Sequence, residues 1–225
     1  MVNAASGAAG VAPGAWISIY GSNLAAATRT MSASDLVDNT MPQSLGGVSV
    51  QIDGKAAYPY YVSPSQINVL SPSDSAAGSV PVSVTTSAGT SAAVTAVMQA
   101  ILPGWFTQSS YVRAVRASDG TIIDGTSTAA RPGDLLELYG TGFGPTETAV
   151  AAGLVFSGAY PVSNAVTVTI GGMDAVVSFA GLVGPGLYQV NAVVPAGLPD
   201  GDYAVIATCG GVSTQSTAML KIKNA

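Results

Sequence analysis

A chain of 225 residues with seven Lys and Arg, twelve Asp and Glu and a formal charge of −5 offers no basic footprint for a phosphate backbone or an anionic bilayer, which argues against nucleic acid as a partner. Hydrophobic residues make up 48% and charged ones 8%, a balance that excludes a disordered chain. No apolar run reaches the ~18 residues of a membrane-spanning helix, and the complete absence of histidine removes the commonest general base, the commonest metal ligand and every Ser-His or Cys-His nucleophile pair.

From the N-terminus, Met1-Val2-Asn3-Ala4-Ala5-Ser6 lacks the basic and long apolar regions of a signal peptide, so an exported protein would carry its signal elsewhere or have lost it. Ile17 and Ile19 mark a first strand with an apolar face. Residues 25–44 read as a long loop that holds at most a helical turn. Val48, Val50 and Ile52 alternate with Ser49 and Gln51, the period of a strand wet on one side, and Asp53-Gly54 turns the chain. Alternation then puts Tyr58 and Tyr60 on one face with Tyr61 opposite, Gln66 and Asn68 on the face opposite Ile67, and Val80, Val82 and Val84 on a shared face before the Ala88-Gly89 turn.

After residue 101 the pattern changes. Tyr111 to Arg116, the turn Ser118-Asp119-Gly120 and Thr121-Ile122-Ile123 read as a connecting hairpin, and beyond it the first half returns. Pro13-Gly14-Ala15-Trp16-Ile17-Ser18-Ile19-Tyr20-Gly21-Ser22 reappears about 119 residues later as Pro132-Gly133-Asp134-Leu135-Leu136-Glu137-Leu138-Tyr139-Gly140-Thr141. Val48 to Gly54 corresponds to Val166 to Gly172, and Gln66-Ile67-Asn68 corresponds to Gln189-Val190-Asn191. Residues 146–162 repeat the long loop, Tyr203, Val205 and Ala207 match the valine trio, and Ala218, Leu220 and Ile222 close the second copy with Met219, Lys221 and Lys223 turned outward.

A period this long is a domain rather than a solenoid unit. Many short one-faced strands need a second sheet to cover them, so each copy is expected to be a β-sandwich. The chain divides at the sequence level into a first immunoglobulin-like sandwich over 1–101, a connecting hairpin over 102–129 and a second sandwich over 130–225.

These blocks resemble the IPT/TIG type of immunoglobulin-like domain, in which the opening strand runs into a glycine turn: Tyr139-Gly140-Thr141-Gly142-Phe143-Gly144-Pro145 here, and Tyr20-Gly21-Ser22-Asn23-Leu24-Ala25 more loosely. Asn23 replaces Gly142, and asparagine is the other residue that tolerates the left-handed conformation such a turn needs. Leu45 to Val50, Tyr61 to Asn68, Pro103-Gly104-Trp105-Phe106 and Gly186 to Asn191 are similar to a tandem module at the C-termini of secreted acidobacterial proteins, the Solibacter-type C-terminal domain. That resemblance implies an all-β fold and brings no established activity or catalytic residues with it.

Candidate chemistry is sparse. The acids sit largely in turns, as at Asp53, Asp119, Asp124, Asp174, Asp200 and Asp202, where Asp bonds its own backbone; a carboxylate pair for a glycosidase or a calcium cluster would need them gathered. Gln66 and Asn68, with Gln189 and Asn191, form amide rows that either satisfy a neighbouring loop or meet sugar hydroxyls. Tyr58 and Tyr60 have Val176 and Ser178 at the matching places, so they are either cross-strand aromatics or a stacking platform for a sugar ring, while Tyr61, matched by Phe179, reads as core. Cys209, the only cysteine, is matched with Ser87 and reads as a small buried filler, the alternative being a reactive thiol.

The resulting expectation is a non-enzymatic extracellular or cell-surface module for adhesion or assembly, without cofactor or metal. The alternatives are a carbohydrate-binding module, with Tyr58, Tyr60, Gln66 and Asn68 as its ligand residues, or an accessory domain of a larger secreted enzyme. Partners would be other surface proteins or further copies of the chain. Lys221 and Lys223 guard the last strand of the second copy whereas residues 92–98 carry no lysine, so association is expected through sheet edges or the segment from Val2 to Val11, head-to-tail.

Overall fold

Alternation decides which way each strand faces. Val48, Val50 and Ile52 are buried with Gln51 exposed between them, and Val168 and Ile170 repeat the pattern beside a half-buried Val166. In the computed structural model, which describes residues 1–224, 49% of the chain is strand and the described residues contain no α-helix, only a short 3-10 turn at Ala33–Asp35. The protein is all-β, built as two immunoglobulin-like sandwiches with separate apolar cores. One core runs from Val11 to Leu102 and the other from Trp105 to Ile222.

In the first sandwich, Trp16–Tyr20 lies between Val2–Asn3 and Gln66–Leu70, and Tyr58–Val62 and Arg29–Thr30 complete that sheet. The covering sheet runs Val94–Met98, Gly78–Thr86, Ser49–Ile52, Lys55–Ala56. The second sandwich repeats the pairings: Leu135–Thr141 lies on Leu187–Val193, and Val166–Ile170 on Gly201–Cys209. Its strand Met173–Gly184 begins in one sheet, against Val166–Ile170, and ends in the other, against Leu187–Val193. The first sandwich makes the same crossing with the strand interrupted at Ala57.

Several expectations change. A bulge between Pro59 and Tyr61 pairs Tyr58 with Leu70 and Tyr61 with Asn68, and leaves Tyr60 as the extra residue. Tyr58 and Tyr61 therefore share the outer face, and Tyr61 is half-buried rather than core; an inserted residue flips every later side chain. The same bulge recurs between Val177 and Phe179. Cys209 pairs with Val166 and Val212 whereas Thr86 pairs with Gly89, so its counterpart is Thr86 and not Ser87. Finally, the last strand Met219–Ile222 is not an edge, because Tyr111–Val112 pairs with it in parallel. Lys221 instead donates to the Gly125 carbonyl at 3.1 Å and lies over the Tyr111 ring.

The segment between the copies is stitched into the second sandwich. Ala114–Arg116 pairs with Ile122–Ile123, giving the expected hairpin, and also with Leu135–Thr141, while Gly104–Trp105 pairs with residues 140–141. Trp105, Val112, Ala114 and Ile123 belong to the second core. At the N-terminus Val2–Asn3 is strand-paired and Val11 is fully buried beside Met98, so that segment is packed into the first sandwich and does not offer the free apolar surface expected of it.

The two long loops meet each other. Met41 N–H donates to Gly153 O (2.8 Å) and Val155 N–H to Asn39 O (2.7 Å), and the Tyr58 ring fills the space over Gly153, where a β-carbon would collide with it.

Cys209 is fully buried and unpaired, and its thiol donates to Phe143 O at 3.2 Å. Burial raises its pKa, which keeps the reactive thiolate scarce. Cys209→Ser preserves the donor at the cost of a small polarity and volume change, and should destabilise by about 1 kcal/mol. Native protein is expected to resist a thiol reagent until it unfolds, and rapid labelling in buffer would contradict this.

Candidate functional site: a composite aromatic cleft

Because Ile17 and Ile19 point inward, Trp16 and Ser18 belong to the outward phase of their strand, and Trp16 is held there by the second sandwich. Its N–H donates to Thr141 Oγ1 (3.0 Å) and its indole Nε1–H to Pro185 O (2.9 Å), and Thr141 Oγ1 donates to Gly186 O (2.7 Å). A β-carbon on Gly186 would sit 2.5 Å from Leu70 Cδ1 and 2.9 Å from Trp16 Nε1. The Pro185-Gly186 turn is thus wedged against the first sandwich at a position only glycine fills.

The bulge lifts Tyr60 beside this tryptophan. Tyr60 is 42% exposed, and its ring meets Trp16 edge-on, with centroids 5.6 Å apart and planes at 72°. Next to them, Asn68 Oδ1 accepts from Ser18 Oγ (2.9 Å) and from Gln66 Nε2 (2.8 Å). With its oxygen doubly engaged, Asn68 keeps its two amide N–H groups as donors. Trp16, Tyr60 and Asn68 form one wall of a cleft of about 420 Å³; Ala4, Phe106 from the connecting segment, and Gly184, Pro185 and Leu187 from the second sandwich line the rest.

Of the four residues expected at a ligand site, the structure brings Tyr60 and Asn68 into this cleft. Gln66 acts one step back, by orienting Asn68, and Tyr58 is turned toward the Gly153 loop. Within each amide row the glutamine bonds to its own asparagine and not to a neighbouring loop: Gln66 Nε2 donates to Asn68 Oδ1, and Gln189 Nε2 donates to Asn191 Oδ1 at the same 2.8 Å in the second copy. Trp16 and Phe106 were missed by the sequence reading. The signal for Trp16 was its outward phase and its replacement by Leu135 in the second copy; no comparable signal marked Phe106.

The cleft is uncharged: its lining contains neither an acid nor a base. On the second copy the equivalent face holds Glu137 where Ser18 stands, and Tyr139 donates to it at 2.9 Å; burial first, and then the Glu137 carboxylate, push that phenol up to about 12. Asp119 and Asp124 bond the backbone of their own turns. Asp124 accepts from Ser127 Oγ and from the N–H groups of Thr126, Ser127 and Thr128, which hold its carboxyl below the usual range. Among the described residues, no three acids or cysteines gather as a metal site. A second hollow, of about 370 Å³, shares Pro185 with the cleft but is walled mainly by apolar side chains such as Leu70, Phe156 and Leu182.

Residues 8–97 match the family model of the IPT/TIG domain. Trp16, Tyr60 and Asn68 fall inside the matched stretch, whereas Phe106, Pro185 and Leu187 fall outside it. No curated protein matches the chain. Among solved structures, the chain is similar to SGBP-B of the Bacteroides ovatus mixed-linkage glucan utilization locus, solved with a mixed-linkage heptasaccharide, at 13% identity and a TM-score of 0.37, covering 95% of this chain and 43% of that one. It is also similar to the plexin A4 extracellular region, at 10% identity and a TM-score of 0.29, covering 96% of this chain and 17% of that one. The chain therefore spans less than half the length of either protein.

Proposed function

We propose that this is a non-enzymatic extracellular module that binds carbohydrate in the cleft between its two sandwiches. The observation that carries the reading is one uncharged concave site where Trp16, Tyr60 and Phe106 converge beside an amide with free N–H donors. Sugar rings pair an apolar C–H face with equatorial hydroxyls. An aromatic wall takes the first by apolar contact and an oriented amide takes the second by hydrogen bonds. The absence of histidine and the commitment of Asp119 and Asp124 to their turns support a binding role over turnover.

Affinity electrophoresis in gels containing soluble polysaccharides tests it. Wild-type protein should be retarded, and Tyr60→Ala should lose about tenfold in affinity, the equivalent of ~1.4 kcal/mol, with little change in melting temperature because the side chain is 42% exposed. Equal retardation of wild type and variant would place any glycan contact elsewhere.

A second reading, assembly, has its own observation. The start of the edge strand Val94–Met98 has a neighbour on one side only, and Val94 and Val97 are 60% and 53% exposed in a stretch without charge. Such an edge invites strand pairing with another copy or another surface protein. Light scattering over a concentration series should then show association that Val94→Lys suppresses, and a monomer at every concentration would dismiss it.

A further inference from the structure

We infer that the cleft selects single soluble chains of neutral sugars, and rejects both flat insoluble polysaccharide and uronic-acid polymers. This rests on the carbohydrate reading above and narrows it. A crystalline polysaccharide presents one rigid plane, and coplanar exposed rings on a flat surface are what match it. Here the Trp16 and Tyr60 planes stand at 72° to each other, so they form two sides of a corner. That corner lies in a hollow walled on the far side by Pro185, Leu187 and Phe106, which a single chain enters and an extended sheet of chains does not. The opening of about 420 Å³ suits a short run of sugar rings, since pockets of a few hundred Å³ take drug-sized ligands.

Charge selection follows from the polar partners. Asn68 offers two neutral N–H donors, with its oxygen already occupied by Ser18 and Gln66. No Lys or Arg stands in the cleft, and the chain as a whole is at −5. A carboxylate brought there would leave water for neutral donors alone inside a negative field, which is unfavourable. The second sandwich reproduces the amide row but has Leu135, Glu137 and Ser178 where Trp16, Ser18 and Tyr60 stand, so one site per molecule is expected.

The test sets four probes against the intact protein: hydroxyethyl cellulose and xyloglucan in affinity gels, microcrystalline cellulose in a sedimentation assay, and polygalacturonate in gels at moderate salt. The expected result is retardation by at least one neutral soluble glucan. That retardation should weaken about tenfold or more in both Tyr60→Ala and Asn68→Ala, with no depletion by cellulose, no retardation by polygalacturonate and a calorimetric stoichiometry of one. Comparable binding to cellulose or polygalacturonate, weakened by the same two variants, would overturn the selectivity while leaving the carbohydrate reading in place. Binding to none of the probes would remove both.

Discussion

Gly142→Ala should destabilise the second sandwich by about 3 kcal/mol or more, a drop on the order of 10 °C in melting temperature. Two independent costs add at this position. Its φ of +79° lies in the left-handed region, which costs a side-chain-bearing residue ~1–2 kcal/mol. In addition, a β-carbon would run into the Leu102 carbonyl, with Leu102 C at 2.9 Å. The obstacle is backbone and cannot rotate away. Leu102 is tied on both flanks, since its N–H donates to Gly142 O (3.0 Å) and its carbonyl accepts from the fully buried Asn3 Nδ2 (2.7 Å). The first copy supplies the control. Asn23 occupies the equivalent turn at φ +56° but is exposed, so Asn23→Ala should incur only the conformational part, about 1 kcal/mol. Urea unfolding of the two variants separates the terms, and equal losses would mean that the Leu102 contact contributes nothing.

That pair of positions shows what a sequence of this kind discloses. The turn was legible because glycine, or asparagine in its place, recurs at one offset in both copies, and the strands were legible because Val48, Val50 and Ile52 obey a period of two. The bulge was not, since a single extra residue leaves no mark in composition, and it moved Tyr60 into the cleft while turning Tyr61 outward. Matching Cys209 with Ser87 is off by one, because cross-strand pairing puts Thr86 opposite Gly89 and Cys209 opposite Val212. The cleft itself depended on contacts spanning 169 residues, from Trp16 to Pro185, and no local pattern encodes these. The lesson is physical: alternation fixes which face a side chain takes, but the partner that closes a site is chosen by how two domains pack.

The same limit governed the segment after residue 101, whose strands are two or three residues long, too short for periodicity to speak. Its weight in the fold is concentrated in Trp105, and Trp105→Ala is expected to be the most damaging single truncation there, at ~3–5 kcal/mol. The indole is fully buried, 5.2 Å from the Phe143 ring. Its backbone is gripped twice by one side chain: Trp105 N–H donates to Gln215 Oε1 (3.0 Å) and Gln215 Nε2 donates to Trp105 O (2.7 Å). Trp105→Phe should lose far less, because it keeps most of the apolar contact and removes an indole N–H that has no partner in the core. If the segment is a structural part of the second sandwich, a fragment spanning 102–225 should fold cooperatively and one spanning 130–225 should not, since the latter lacks Trp105, Val112, Ala114 and Ile123 from its core. Near-ultraviolet circular dichroism and denaturant unfolding of the two fragments decide it. A cooperative 130–225 fragment as stable as the longer one, together with a mild Trp105→Ala, would reduce the segment to a connecting hairpin outside the second core.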